Sequence, residues 1–341
     1  MVAAQVEAEM TENSRQALVG AIGGTYISLA VVDIDEYAIA NFALLNSADF
    51  KSPMEAIERY IKSLPRVPDK VGLSIAGTVA DSKARMSHLP WAFDWNDVRA
   101  VTGSTHICFV NEFEALALAT PTLGNYELIS INKGAIKRTD PRAVISAGTG
   151  LGAAALLWTR ERWVALSGES RLATFPQPLA HEFDIAKVAG RDGFVPAGDV
   201  LTGRGLVALY DALAREAGQP PATLTPAQIT KMGLSGDDAA AVRALELMAT
   251  WLGRFAGDVA LHYGATGGVY LAGGMPANIA PALKSRHFLD AFEGTGERHD
   301  YLADAPVHVI KASADAGLRG AAVALANSLP VRSSNVRRLR A

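Results

Sequence analysis

The chain has one cysteine, little excess charge and no long apolar run, and each shortage excludes a class of protein. Cys108 cannot form an internal disulfide, and a small buried hydrophobe in a reducing compartment is its simplest interpretation. A formal net charge of −3 gives no electrostatic case for a nucleic acid partner. No apolar run approaches the roughly 20 residues of a membrane helix, and residues 1–15 lack the apolar segment of a signal peptide. We therefore expect a cytoplasmic protein that binds neither nucleic acid nor membrane.

Apolar residues are plentiful by contrast. They make up 49% of the 341 residues, against 20% charged residues, which is enough to build buried cores and excludes a disordered chain. This length favours about two domains. The acidic leader 1–15 and the arginine-rich tail 330–341 are predicted to be flexible ends.

Three glycine-rich turns follow apolar strands. The first is Gly23-Gly24-Thr25, the second is Gly148-Thr149-Gly150, and the third is Gly273-Gly274. A strand leaves each of the first two turns, so neither is a dinucleotide fingerprint, and no Gly-Lys-Ser/Thr follows to make a P-loop. Glycines leave backbone N–H groups exposed, so these turns are candidate phosphate cradles.

The order of elements predicts two related α/β units. Strands come first, and strand and helix then alternate, which indicates a mixed sheet covered by helices. Lys70–Val79 is predicted to be one strand, and Trp91–Phe93 to lie in a loop. Capping boxes at Ser52 and Thr225 start two helices, and a third helix is predicted over about Asp237–Tyr263. The second unit begins near Thr120 and repeats the strand, glycine turn, strand design, which suggests a cleft and a hinge between two domains.

Eight short segments between Leu18 and Asn327 carry a more specific signal. They are Val19–Thr25, Trp91–Phe93, Val110–Ala115, Ser146–Gly152, Arg162–Glu169, Val200–Leu206, Gly253–Phe255 and Gly267–Met275. Together they resemble the bacterial glucokinase family of the actin/hexokinase/sugar-kinase superfamily. The resemblance implies an α/β, two-domain actin-like ATPase (ribonuclease H-like) hexokinase fold with an inter-domain cleft. A small domain of residues 16–121 with the last helix, 314–329, would precede a large domain of 122–313.

The resemblance also implies an activity, namely ATP-dependent phosphoryl transfer to the 6-hydroxyl of a hexose, glucose in that family, with Mg²⁺. Such a reaction needs positioned substrates, a base and neutralised charge more than covalent chemistry. Glu112 would be the catalytic base, and no residue of this chain is assigned to the metal. Asn111, Glu169, Gly77 and Thr78 would bind the sugar. The ATP-binding residues would be Gly23, Gly24, Thr25, Gly148, Thr149, Gly150, Gly273 and Gly274. Dimers are common in that family, so a possible homodimer is also implied.

Several working positions depart from the family pattern. Glu112 stands where the family has the Asp base, and Ala21 stands where the first turn normally carries an Asp near the metal. An extra methylene moves the carboxylate by roughly an ångström, a displacement that can cost about a hundredfold in rate. Tyr26 and His88 each stand where the family has Asn, and Leu172 stands where it has His. Arg191, with Asp192 beside it, stands where the family has Glu.

Three interpretations stay open from the residues alone. The chain is an ATP-dependent hexokinase of altered efficiency or sugar choice, a non-catalytic sugar- or nucleotide-binding relative with a regulatory role, or a kinase for another substrate. Arg171 and Arg191 would suit an anionic ligand, although a solvated surface is the plainer interpretation of both. Intact glycine turns and the carboxylates of Glu112 and Glu169 favour the first.

Overall fold

The structure is a computed structural model that describes residues 15–176, 179, 182–184, 188, 193–219 and 223–329. The described residues divide into two α/β units. The first unit takes the described residues up to Thr122 and those from Ala314 onward, and the second takes Leu123–Ser313. The predicted flexible ends, apart from Arg15 in the leader, lie outside the described residues.

A five-stranded sheet forms the centre of the first unit, and its strands are β1 (Gln16–Ile22), β2 (Tyr26–Asp33), β3 (Ile39–Asn46), β4 (Lys70–Ile75) and β8 (His106–Asn111). They lie in the order β3-β2-β1-β4-β8. Strands β1, β4 and β8 run parallel, while β2 and β3 pair antiparallel at one side. The alternating apolar pattern predicts strands at about Gln16–Ile22, Tyr26–Ile34 and Ala38–Leu45, which agree with β1, β2 and β3 to within one residue at either end.

A second, three-stranded sheet in the first unit corrects two predictions. Lys70–Val79 is not one strand, because β4 ends at Ile75 and β5 starts after Ala76. Trp91–Phe93 does not lie in a loop, since Ala92 and Phe93 belong to β7. The strands of this sheet are β5 (Gly77–Ala80), β6 (Lys83–Met86) and β7 (Ala92–Asp94), paired antiparallel in that order. Trp91 and Phe93 join the apolar core of the unit, which is burial that local sequence does not reveal.

In the described part of the first unit, four α-helices accompany these sheets. They are α1 (Pro53–Ile61), α2 (Trp95–Thr102), α3 (Glu112–Ala119) and α12 (Ser313–Ser328), the last being the final helix of the described chain. The predicted cap Ser52 accepts a hydrogen bond from the backbone N–H of Glu55, so α1 begins where the sequence indicates. Ala56, Ile57 and Tyr60 on one face of α1 pack into the core.

A six-stranded sheet of order β12-β11-β10-β13-β14-β9 forms the centre of the second unit. Its design repeats the first sheet, because β10, β13 and β14 run parallel while β11 and β12 follow antiparallel to β10. The strands are β9 (Leu128–Ser130), β10 (Arg142–Ala147), β11 (Leu151–Trp158), β12 (Trp163–Gly168), β13 (Val269–Ala272) and β14 (Val307–Ile310).

The long helix of the second unit carries its core. Trp251 and Leu252 of this helix are fully buried, as the helical spacing of apolar residues predicts. The helices are α4 (Ala197–Val200), α5 (Gly203–Glu216), α6 (Pro226–Ser235), α7 (Ala239–Tyr263, the long helix), α8 (Gly274–Asn278), α9 (Ala280–Leu283), α10 (Arg286–Glu293) and α11 (Glu297–Leu302). No helix in the described ranges is long and apolar enough to cross a membrane.

A close contact between α12 and α3 generates a stability prediction. A β-carbon built on Gly320 would lie 1.8 Å from the carbonyl oxygen of Ala115, so the two helices touch only because Gly320 lacks a side chain. We expect Gly320→Ala to lower the free energy of unfolding by about 2 kcal/mol or more through overpacking, measured by urea denaturation.

Gly317, one turn earlier on the same helix, provides the matched control. A β-carbon there would lie 3.6 Å from the β-carbon of Ala21, an ordinary contact. Gly317→Ala should therefore leave stability unchanged or raise it by up to about 1 kcal/mol. Equal destabilisation by the two variants would show that the contact at Ala115 is not what constrains the helix.

Candidate active site

One group of predicted site residues lies in the first unit, at the carboxyl ends of the parallel strands β1, β4 and β8. Ile22 pairs with Ile75, and Ile75 pairs with Asn111, so the three strands end level with one another. Ligands of open parallel sheets bind at this edge. The first glycine turn (Gly23–Thr25) follows β1 directly.

Ala76 and Gly77 connect the parts of this edge through their backbone. The N–H of Ala76 donates to the carbonyl of Ile22 at 3.0 Å, and the carbonyl of Ala76 accepts from the N–H of Ser87 at 3.1 Å. The carbonyl of Gly77 accepts from Nδ2 of Asn111 at 2.9 Å. Two residues thus hold the end of β1, the segment before Trp91 and the start of α3 in one arrangement.

Asn111 has a positioning role that its sequence motif does not reveal. Its Oδ1 accepts a hydrogen bond from the backbone N–H of Phe113 at 2.9 Å and caps α3, while its Nδ2 binds Gly77. The side chain therefore fixes the residue at which α3 begins and the orientation of its first turn relative to Gly77. Glu112, the predicted base, is the first residue of this helix, and its orientation depends on that cap.

The pKa of the Glu112 carboxyl lies close to neutral pH. Burial raises its pKa from 4.5 to about 7, because the charged form loses hydration. A helix amino terminus favours a carboxylate and lowers its pKa, so desolvation is the larger of the two effects here. A pKa near the working pH is what a general base needs, since the group is partly deprotonated and still accepts a proton readily.

The first glycine turn is tied down on one side and open on the other. Gly23 donates its N–H to the carbonyl of Tyr26 at 3.0 Å, and Oγ of Ser47 donates to the carbonyl of Gly23 at 2.9 Å. A β-carbon built on Gly24 would approach nothing closer than the β-carbon of His88, at 3.5 Å. Thr25 and, on β5, Thr78 are exposed.

The second unit brings the other two glycine turns together at the carboxyl ends of β10 and β13. A β-carbon on Gly148 would lie 3.7 Å from the backbone nitrogen of Gly274, and the carbonyl of Gly148 accepts from the N–H of Gly203 at the start of α5, at 2.9 Å. Gly273 has φ +90°, which favours glycine, and donates its N–H to Oγ of Ser313 at 2.9 Å.

Open backbone at these turns fits a phosphate group. A β-carbon on Gly150 or on Gly274 would meet no atom within 4 Å, as is nearly the case for Gly24. Thr149 between the glycines of the second turn is exposed. Two of the three turns therefore form one surface within the second unit, while the first turn belongs to the first unit.

Glu169, the predicted sugar ligand, follows edge strand β12 and has a partner in its own turn. Its Oε2 lies 3.2 Å from Nε of Arg171, and both side chains are exposed, by 72% and 58% respectively. Leu172, which cannot hydrogen-bond a hydroxyl, is also exposed. Arg171 therefore does not offer a free cation for an anionic ligand, and Arg191 and Asp192 lie outside the described residues.

A protein-held metal does not fit these residues. In the part of the chain that the structure describes, no three His, Cys, Asp or Glu side chains are grouped to hold a metal ion. The methyl group of Ala21, beside the first turn, offers no ligand atom. Any Mg²⁺ would have to arrive on the phosphates of the nucleotide, where the ion keeps several waters.

The structure adds residues that sequence reasoning missed, and it reinterprets two motifs. Ser47 and Ser313 each hydrogen-bond a glycine turn, yet a serine near the start of a helical segment looks like any other cap. A β-carbon on Gly205 would lie 1.9 Å from the carbonyl oxygen of Val200, and one on Gly253 would lie 2.4 Å from that of Phe288. The Val200–Leu206 and Gly253–Phe255 motifs therefore contain glycines required by close packing.

Comparison with known proteins places the chain in a class. A glucokinase from an Antarctic psychrotroph, solved by crystallography, superposes with a TM-score of 0.81 at 28% identity over 92% of this chain and 99% of that one. A ROK family glucokinase from Streptomyces griseus, solved with glucose and AMPPNP, superposes with a TM-score of 0.64 at 19% identity over 90% and 98%, a likeness of fold. The protein is a sugar kinase of the actin-like ATPase fold.

Sequence relatives identify the family. The chain is 35% identical to a glucokinase of Nitrobacter hamburgensis over 296 residues, which cover 86% of this chain and 92% of that protein. A family model described as glucokinase matches residues 18–328. The chain belongs to the glucokinase family, as the eight sequence segments predicted.

The raised pKa of Glu112 predicts a stability effect that does not require activity. A group whose pKa is raised by folding stabilises the protein fully below its unfolded pKa, about 4.5 here, and that stability is lost as pH rises through about 7. Gln cannot ionise and does not suffer this loss. We expect Glu112→Gln to exceed the wild type in unfolding free energy at pH 8 by about 2–3 kcal/mol, and to differ little at pH 4.

Urea denaturation at pH 4, 6 and 8 measures this difference. Glu36, exposed in the turn after β2, supplies the control, because Glu36→Gln removes the same charge outside the candidate site. A Glu112→Gln advantage that is the same at all three values of pH would contradict the assignment of a half-buried carboxyl whose pKa is raised by desolvation.

Proposed function

We propose that this chain transfers the terminal phosphoryl group of ATP to the 6-hydroxyl of glucose. One observation carries the proposal: the Glu112 carboxyl, oriented by the Asn111 cap at the carboxyl edge of the first sheet, has a pKa raised to about 7. A carboxylate at the start of this helix, with a pKa of about 7, is suited to accept a proton from an alcohol. The names of the relatives support glucose as the alcohol and a nucleoside triphosphate as the donor.

The proposed step balances without a covalent enzyme intermediate. Glu112 accepts the proton of the 6-hydroxyl as that oxygen attacks the γ-phosphorus, the bond between the γ-phosphorus and the bridging oxygen breaks, and ADP leaves. Backbone N–H groups of the glycine turns, other than those of Gly23, Gly148 and Gly273 that donate within the protein, would balance the charge of the phosphates. Glu169 would accept hydrogen bonds from sugar hydroxyls, and Gly77 and Thr78 would border the sugar. Mg²⁺ would enter as part of the nucleotide substrate.

Substitution of the base tests this function. We expect Glu112→Gln to lower kcat by about 10²–10⁴-fold, the usual contribution of general base catalysis, in a coupled assay of ADP release with ATP, Mg²⁺ and glucose. Glu112→Asp should retain measurable turnover because it keeps a carboxylate on the same helix position. In the wild type, kcat/KM should fall about tenfold per pH unit below about pH 7, where Glu112 is protonated.

A second candidate function rests on the ion pair in the sugar loop. Because Arg171 already occupies an oxygen of Glu169, and Ala21 offers no metal ligand, the chain could bind sugar or nucleotide as a non-catalytic regulator. The same assay separates the two functions. Binding of glucose or ATP by calorimetry, with no sugar in a hexose panel giving turnover, would support the regulator and contradict the kinase. The implied homodimer stays a prediction.

Arg171 also yields a prediction on substrate affinity. If its pairing with Glu169 competes with the sugar, Arg171→Gly should lower the KM for glucose without changing kcat. Exposed ion pairs contribute about 0.2–1 kcal/mol, so the expected change is at most about fivefold. Steady-state kinetics measures it, and Arg171→Lys, which keeps the charge, is the control. A higher KM in Arg171→Gly would show instead that the guanidinium helps to bind the substrate.

A further inference from the structure

The first glycine turn lacks the carboxylate that the family pattern places beside it, at the position of Ala21. Ala21, at the end of β1, provides no carboxylate beside the turn, and its β-carbon faces Gly317 of α12. A carboxylate at this point would help to hold a divalent cation and would also repel phosphate oxygens. Its loss therefore weakens metal binding by the protein and, at the same time, removes repulsion from a bare polyphosphate.

His88 lies against the open side of the same turn. The Ser87–Ala76 hydrogen bond at 3.1 Å and the Ala76–Ile22 hydrogen bond at 3.0 Å hold its segment to the end of β1. The β-carbon of His88 stands 3.5 Å from the position that a β-carbon on Gly24 would take. His88 therefore stands beside Gly24, a residue of the turn that leaves room for a ligand.

Two side chains beside this turn, those of His88 and Tyr26, carry hydrogen-bond donors. Among the residues that the structure describes, no hydrogen bond or ion pair holds the imidazole of His88 or the hydroxyl of Tyr26, and both side chains are exposed. An imidazole N–H and a phenol O–H can donate to phosphate oxygens, as can backbone N–H groups of the turn other than that of Gly23, which donates to Tyr26. The turn thus has direct donors beside it and, at Ala21, no metal-binding group.

We propose that His88 is a phosphate-binding residue and that the first glycine turn binds the polyphosphate of ATP without a protein-held divalent cation. The identity of the polyphosphate rests on the proposed function, and the contact by His88 deepens it. In this arrangement His88 donates directly to a phosphate oxygen above Gly24, with Tyr26 at the rim of the turn.

Calorimetric titration of the full chain in the absence of sugar tests the proposal. The probes are ATP in EDTA and ATP with excess Mg²⁺. We expect the wild type to bind the two forms with dissociation constants within about threefold of each other, because direct donors replace the metal bridge. His88→Asn should weaken the binding of metal-free ATP by about tenfold, the scale of one hydrogen bond to a charged group.

Two further variants complete the design. Ala21→Asp should weaken metal-free ATP binding by about tenfold through charge repulsion while leaving Mg²⁺-bound ATP within about twofold of the wild type. His106→Asn is the matched control, since His106 stands at the opposite end of β8 in the same unit and should leave both constants unchanged. Thermal melting checks that each variant folds, and His88→Gln replaces His88→Asn if the latter does not.

The outcomes separate this inference from the proposed function. Metal-free ATP that binds more than about a hundredfold more weakly than Mg²⁺-bound ATP would overturn the metal-independent turn. Equal constants for His88→Asn and the wild type would overturn the role of His88. Either result leaves sugar-dependent ADP release intact, whereas loss of that release with normal ATP binding would overturn only the proposed function.

Discussion

The backbone hydrogen bonds of Ala76 and Gly77 are the constraint on which the candidate site residues of the first unit depend. They lie where β4 ends, between the neighbouring ends of β1 and β8, and they tie both neighbours together. A side chain at Gly77 would collide with the carbonyl of Arg85, 2.0 Å away, so the contact requires glycine. Because each partner is a backbone group or a short amide, the arrangement fixes the backbone at the start of α3, where Glu112 stands.

In the second unit, different residues hold the glycine turns in place. There the carbonyl of Gly148 accepts from Gly203, and Gly273 is held by Ser313, so helix starts rather than a strand break fix the turns. A β-carbon on Gly273 would lie 2.3 Å from the carbonyl oxygen of Ala147, so the close approach of the ends of β10 and β13 requires glycine at this position. In both units the parallel strands end at one edge, where glycine turns can present backbone N–H groups to a phosphate ligand.

Suitability as a general base and folding stability oppose each other at Glu112. The burial that raises its pKa to about 7 makes the carboxylate a good proton acceptor, and the same burial costs folding free energy at neutral pH. The first turn shows a related exchange, because replacing a carboxylate by Ala21 removes a metal ligand but also removes a repulsive charge from a phosphate surface.

Local pattern determined much of the fold from the sequence alone. The period of apolar residues located β1, β2 and α7, and the caps Ser52 and Thr225 located two helix starts, because these signals arise within one element. The eight family segments were enough to predict the fold class and the family.

Only the tertiary structure decided what depends on distant neighbours. The break at Ala76, the strand around Phe93 and the proximity of His88 to Gly24 depend on residues from different elements. The raised pKa of Glu112 likewise comes from burial by the folded chain. Sequence periodicity reports which face of an element is buried, whereas a site is set by which elements meet, and that is a property of the packed chain.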